Sequence, residues 1–161
     1  MQSKEELENW YETPDPWDYE NTHDDFERKV RILGSLHGRF KRALDIGAGE
    51  GFITRDLPAD EVFAYEISDN ASTRLPEGIK RVLEPEGKYD LIIACGVLYP
   101  QYDFDMMLDL IRKHASGIVL TCNIKNWEIN DLDRSKIIHE EVFQYREYTE
   151  HLVVYNFETT S

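Results

Sequence analysis

The sequence predicts an α/β domain: a mostly parallel sheet, finished by an antiparallel hairpin, in a single compact unit. Three observations carry this expectation. Short apolar runs at 43–46, 62–67, 79–83, 91–97 and 118–124 are separated by turn or helix signals, and alternation of that kind implies a parallel sheet covered on both faces. The first run leads directly into three glycines, in ALDIGAGEGF (43–52). The last segment, EEVFQYREYTEHLVVYNFE, reads as two strands with no helix between them.

Taken in order, residues 1–23 read as an arm or lid, with Pro14 and Pro16 interrupting any helix. The domain proper spans 24–161. Phe26, Val30, Ile32, Leu33 and Leu36 recur at roughly helical spacing over 24–36, and His37-Gly38 closes that helix. FITRDL, after the glycines, is positioned to open a second helix. FDMMLDLIRKH (104–114) places Phe104, Met107, Leu108 and Ile111 on one face and ends in cations, which suit a helix C-terminus. The terminal strands are expected to join at Thr149-Glu150.

At 161 residues, with 41% hydrophobic and 12% aromatic content, the chain is long enough for a real core. No apolar run approaches the ~20 residues of a membrane span. The polar, acidic start MQSKEELENWYETPDP is neither a signal nor a transit peptide, so a cytoplasmic place and no membrane partner are expected. Lys plus Arg number 18 against 32 Asp plus Glu, a net charge of −14. Such a surface repels phosphate backbones, which argues against nucleic acid. Cys95 and Cys122 each lie inside an apolar run and read as buried thiols, and no Cys/His spacing suggests a metal.

The glycine loop departs from the dinucleotide fingerprint G-x-G-x-x-G, since Phe52 occupies the third glycine's place. Asp45 precedes the first glycine by two residues; there it would repel a pyrophosphate and suit an ammonium. Glu66 ends the second run, 21 residues after Asp45, where a carboxylate can accept both hydroxyls of a ribose. Amine, ribose and close backbone approach together describe S-adenosylmethionine.

On LDIGAGEGF, YEIS, YDLIIACGVLYP and the terminal hairpin, the chain resembles the class I S-adenosylmethionine-dependent methyltransferases, with their Rossmann-like sheet, over 24–158. DPWDYENTHDDFERKVRIL is similar to the segment leading into the glycine loop in the nodulation protein S family, amino-sugar N-methyltransferases. The resemblance implies that Asp45 holds the methionine amino end, directly or through water. It implies that Gly47, Ala48, Gly49 and Phe52 form the cofactor loop, that Glu66 takes the ribose, and that Ile67 packs on the adenine, with Glu84 facing its amino group. Cys95 and Gly96 would border the sulfonium. Trp17 and Tyr19 would close over the cofactor, with Lys29 near its carboxylate. Tyr99 is the first candidate catalytic residue and His23 a candidate general base; Glu20, Asp103 and His139 are further candidates for the cleft.

The expected function is methyl transfer to a small-molecule acceptor, an amine such as an amino sugar or oligosaccharide, by a monomer or homodimer. An O-methyltransferase and a non-catalytic cofactor-binding partner subunit are the alternatives. A nicotinamide-dependent oxidoreductase is disfavoured by Asp45 and Phe52.

Overall fold

The computed structural model describes residues 3–99, 102–125 and 132–158. Its strands are β1 (Phe40–Ile46), β2 (Ala59–Tyr65), β3 (Ile79–Val82), β4 (Tyr89–Cys95), β5 (Ala115–Ile124), β6 (Ile137–Tyr145) and β7 (Tyr148–Asn156). They form one sheet in the order β3-β2-β1-β4-β5-β7-β6. β1 to β5 run parallel, and β7 lies antiparallel between β5 and β6. This is the mostly parallel sheet with a terminal hairpin that the sequence predicts.

Alternation along the central strands divides the core into two layers. Ala43, Leu91, Ile93, Leu120, Leu152 and Val154 point to one side. Leu44, Ile46, Ile92, Ala94, Val119 and Val153 point to the other. Both sets are buried, which is why these strands read as continuous apolar runs rather than as polar–apolar alternation.

Two helices cover the faces. α2 (His23–Gly34) lays Ile32 against the first layer, and α4 (Phe104–His114) lays Met107, Leu108 and Ile111 against the second. α4 has the bounds that the sequence predicts, with the Asp103 side chain accepting from the Met106 N–H at 3.2 Å. α2 differs in its buried face. Phe26 and Val30 are 60% and 52% exposed, and the buried stripe is Asp25, Arg28, Lys29 and Ile32. The first half of α2 lies over the strand ends rather than over the apolar sheet, so polar side chains face inward there.

Two other expectations are corrected, the helix at FITRDL and the position of the hairpin turn. FITRDL does not open a helix: Thr54–Asp56 make one 3-10 turn before Leu57 turns extended at φ −65°, ψ 133° and Pro58 follows. The crossover from β2 to β3 holds only the one-turn helix α3 (Asp69–Ser72). The hairpin turns at Arg146 and Glu147, not at Thr149-Glu150, with Tyr145 paired to Tyr148 and Arg146 at φ 51°. Thr149 and Glu150 belong to the ladder, opposite Gln144 and Phe143. Before α2, the arm contributes the short helix α1 (Lys4–Trp10), capped by the Ser3 side chain, and a 3-10 turn at Tyr19–Asn21. No helix among the described residues is long and apolar enough to cross a membrane.

The two kinds of residue on α2 separate cleanly in a stability measurement. Ile32→Ala removes a fully buried side chain and is expected to cost about 2–5 kcal/mol in urea unfolding. Val30→Ala, on the exposed side, is expected to stay within about 0.5 kcal/mol of the parent.

Candidate functional site

Strand order reverses between β1 and β4, so the chain leaves these two neighbours in opposite directions and opens a crevice at their carboxyl ends. A cavity of about 610 Å³ lies there. Its floor is made by the two strand exits, at Gly47 and Gly96. Gly47 sits at φ 75°, and a Cβ on it would come within 2.3 Å of Val97 Cγ1. Only glycine fits at that closeness.

The second loop glycine is pinned from both sides. Gly49 has φ 60°, a Cβ on it would meet the Tyr11 hydroxyl at 2.8 Å, and its N–H donates to Glu66 Oε1 at 2.7 Å. Glu66 Oε2 accepts from the Ser68 N–H at 2.8 Å. The carboxylate therefore ties the loop after β1 to the loop after β2. Burial raises its pKa, and the two backbone donors oppose that shift.

Of the residues that the sequence marks, Trp17, Tyr19, Gly47, Glu66, Ile67, Cys95, Gly96 and Tyr99 line the cavity. Asp45 does not. It lies beneath the loop, 4% exposed, with Oδ2 accepting from the Thr54 hydroxyl at 2.7 Å. Ala48, Gly49 and Phe52 do not line the cavity either, and the Phe52 ring stacks on Tyr19 at 5.5 Å. Lys29 is committed elsewhere: Nζ donates to the Phe52 carbonyl and pairs with Asp56, each at 2.5 Å.

Glu84 is exposed beyond β3, at a second cavity lined also by Lys113 and His114. His23 is 85% exposed at the start of α2, 3.9 Å from Glu27. His139 lies outward on β6 beside Glu141, and Glu20 pairs with Arg55. Asp103 reaches the cavity rim while capping α4.

Tyr99 is 6% exposed, and its hydroxyl accepts from the Ile124 N–H at 2.8 Å, which leaves its own proton free to donate. Burial pushes its pKa up, so it stays neutral. Burial also lifts Tyr19 to about 12. Asn123 Oδ1 accepts from the N–H groups of Gly96, Val97 and Leu98 at 3.0, 3.1 and 3.3 Å, fixing the exit of β4. Burial raises both thiols, Cys95 and Cys122, into the unreactive protonated form.

A polar network that the sequence does not reveal closes the wall opposite. Arg28 Nε donates to Glu150 Oε1 at 2.5 Å and Nη2 to the Cys122 carbonyl at 3.1 Å. Asp25 accepts from the Tyr145 hydroxyl and from Arg146 Nη2, which also donates to the Trp17 carbonyl at 2.8 Å. The visible signal is the spacing of Asp25, Arg28 and Ile32 on one helix face; the hairpin's share carries no local signal.

The arm completes the enclosure. Trp17 stacks between Trp10 and Tyr19 at 5.8 and 6.0 Å and meets Tyr11 edge-on at 5.3 Å. Glu8 accepts from the Ser68 hydroxyl and the Asn70 N–H, and Glu50 accepts from the Asp15 N–H at 2.7 Å.

Asp45 gives this site a measurable signature. Burial pushes its pKa from 3.8 to about 7, against the hydrogen bond from Thr54. Between those values the folded protein keeps a proton that the unfolded chain has released, so stability is greatest below this range and is lost as pH rises through it. Urea midpoints of the wild type are expected to fall relative to Asp45→Asn from pH 5 to pH 7.5. Parallel profiles for the two proteins would contradict that origin.

No protein-family model matches this chain. Among solved structures it resembles the N-methyltransferase NodS of Bradyrhizobium japonicum in complex with S-adenosyl-L-homocysteine, at TM-score 0.77 and 16% identity, over 95% of this chain and 97% of that one. It also resembles TrmK of M. capricolum with the same bound product, at TM-score 0.63 and 13% identity, over 83% and 69%. A curated relative, the protein N-lysine methyltransferase METTL21A of Danio rerio, is 24% identical over 58% of this chain. The chain spans about half of that relative's length, 54%. Strand order, terminal hairpin and switch-point cavity agree with these likenesses: the chain has the fold of the class I S-adenosylmethionine-dependent methyltransferases.

Proposed function

We propose that this protein is an S-adenosylmethionine-dependent methyltransferase acting on a small-molecule amine, with residues 1–23 serving as a lid. The observation that carries the reading is Glu66, held at the cavity wall beside the glycine floor. Each of its oxygens receives one backbone N–H, and each retains a second lone pair for a ribose hydroxyl. Gly47 and Gly96 let the backbone lie against the donor, and Ile67 offers an apolar surface for the adenine. Arg28, not Lys29, is the cavity cation that lies beside the β4 exit, where a Cβ on Gly96 would stand 3.6 Å from its Nη2, and it serves the methionyl carboxylate. Asp45, buried beneath the loop and bonded to Thr54, braces the loop and does not itself meet the ligand. Glu84 and His23 have no part, since neither lines the cavity.

When bound, the sulfonium supplies an electrophilic methyl group. The chain's own work is alignment and exclusion of water, and near-attack alignment is worth roughly 7–11 kcal/mol. Tyr19, Trp17 and Tyr99 present aromatic surface to a cationic centre. Tyr99, neutral and with its proton free, orients the acceptor. An amine gives up its proton to water or a weak base, so no strong base is needed. The NodS and METTL21A likenesses, both N-methyltransferases by name, favour nitrogen as the acceptor atom.

Calorimetry with S-adenosylmethionine and S-adenosylhomocysteine is the test. The wild type is expected to bind both, and Glu66→Ala to weaken binding at least tenfold, while Glu84→Ala leaves it unchanged. Absence of binding by the wild type, or tighter binding of a nicotinamide dinucleotide, would overturn the reading.

A further inference from the structure

The hairpin contributes a carboxylate to the cavity that the cofactor assignments leave unused. Glu150 on β7 is 1% exposed and forms part of the cavity wall. Its Oε1 is fixed by Arg28 Nε at 2.5 Å, while its Oε2 is buried with no hydrogen-bond partner among the described residues. A buried carboxylate oxygen without a donor is costly, and such groups are rare enough that each calls for a cause. The terminal carboxylate torsion is soft, so a small rotation about the Arg28 contact brings Oε2 to a donor entering the cavity.

The surroundings define that donor. Glu150 pairs across the ladder with Ile124, whose N–H is held by Tyr99. Tyr99 thus stands beside it with one proton free to donate. Tyr19 and Tyr145 complete the nearby wall, and the Arg28 guanidinium lies 5.1 Å from the Tyr145 ring centroid. One anionic acceptor among aromatic rings, already balanced on one side by a guanidinium, accommodates a single N–H-bearing head group. It does not accommodate an anionic head group beyond the one carboxylate that Arg28 takes, since a second anion would face Glu150.

From this geometry we infer that Glu150 is the acceptor-binding residue: Oε2 receives an N–H of the substrate's primary amine and turns the nitrogen lone pair toward the methyl donor. The inference rests on the methyltransferase reading and assigns its acceptor subsite. In the transfer, the nitrogen lone pair forms the N–CH3 bond as the C–S bond breaks, and the C–S electron pair stays on sulfur as a neutral thioether. The displaced N–H proton leaves to solvent, because a carboxylate paired with Arg28 is too weak a base to keep it from an amine. Glu150 therefore positions the nucleophile and selects for a hydrogen-bond donor.

The test titrates benzylamine, benzyl alcohol and benzoate into the protein saturated with S-adenosylhomocysteine, for the wild type and Glu150→Gln. The wild type is expected to bind benzylamine at least tenfold more tightly than benzyl alcohol and to reject benzoate. Glu150→Gln keeps an oxygen for Arg28, although loss of the buried ion pair is expected to lower its thermal midpoint; folded and saturated with S-adenosylhomocysteine, it is expected to bring the amine-to-alcohol ratio to within about twofold. No amine preference in the wild type, a preference that survives in Glu150→Gln, or tighter binding of benzoate would each overturn the assignment. Failure to bind S-adenosylhomocysteine at all is a separate result, which removes the methyltransferase reading itself.

Discussion

The Arg28–Glu150 ion pair joins residues 122 positions apart in sequence, and most of the site is organised around it. Arg28 reaches from α2 across the ends of β4 and β5, and Glu150 comes from the terminal hairpin. Removing two such charges from water is expensive, and replacing a buried pair by apolar residues is often neutral or stabilising. Stability alone therefore gives weak reason for the pair to stand in this wall. Its effect is geometric. It sets the hairpin against α2, and the Asp25–Tyr145–Arg146 contacts extend the same seam to the arm at the Trp17 carbonyl.

The centre of the sheet was legible in the sequence because β1, β4 and β5 are largely buried on both faces and so appear as apolar runs. α4 was legible for the opposite reason: its stripe of Met107, Leu108 and Ile111 faces an apolar layer and its other side faces water. α2 misled because hydrophobic spacing assumes an apolar neighbour. Over the strand ends the neighbours are Glu150, Tyr145 and the Cys122 carbonyl, so the buried residues are Asp25 and Arg28, and Phe26 and Val30 turn outward. The hairpin turn was misplaced by three residues, because Arg146 takes a left-handed conformation without being glycine or asparagine. Its long-range contacts with Asp25 and Trp17 hold it there, and a local reading has no access to them.

The candidate site divides along the same line. Residues whose place at the cavity follows from backbone position, such as Gly47, Gly96, Glu66 and Ile67, were legible from their offsets to the strands. Residues whose role depends on what a side chain meets across the fold were not. Lys29 and Arg28 are adjacent in sequence, yet a helix sends them about 100° apart. One goes to Asp56 outside the cavity and the other to Glu150 in its wall. Glu84 followed the third strand as expected, but with only residues 83–88 between β3 and β4 it has no chain on which to return toward the crevice.

The short connections also explain the prominence of the arm. Where helices would ordinarily flank the loops after β1 and β2, this chain has a single 3-10 turn and the one-turn α3. Neither brings enough apolar surface to hold the glycine loop. That work falls to α1 and the aromatic ladder Trp10–Trp17–Tyr19–Phe52, which spans from the arm to the loop in successive stacked contacts of 5.8, 6.0 and 5.5 Å. The ladder's last rung is the residue in the third-glycine position. A glycine there would allow a helix to pack closely on the strand; a phenylalanine gives the arm a surface to stack on. The substitution that sets this loop apart from a dinucleotide fingerprint is thus the one that lets the arm replace the absent helix.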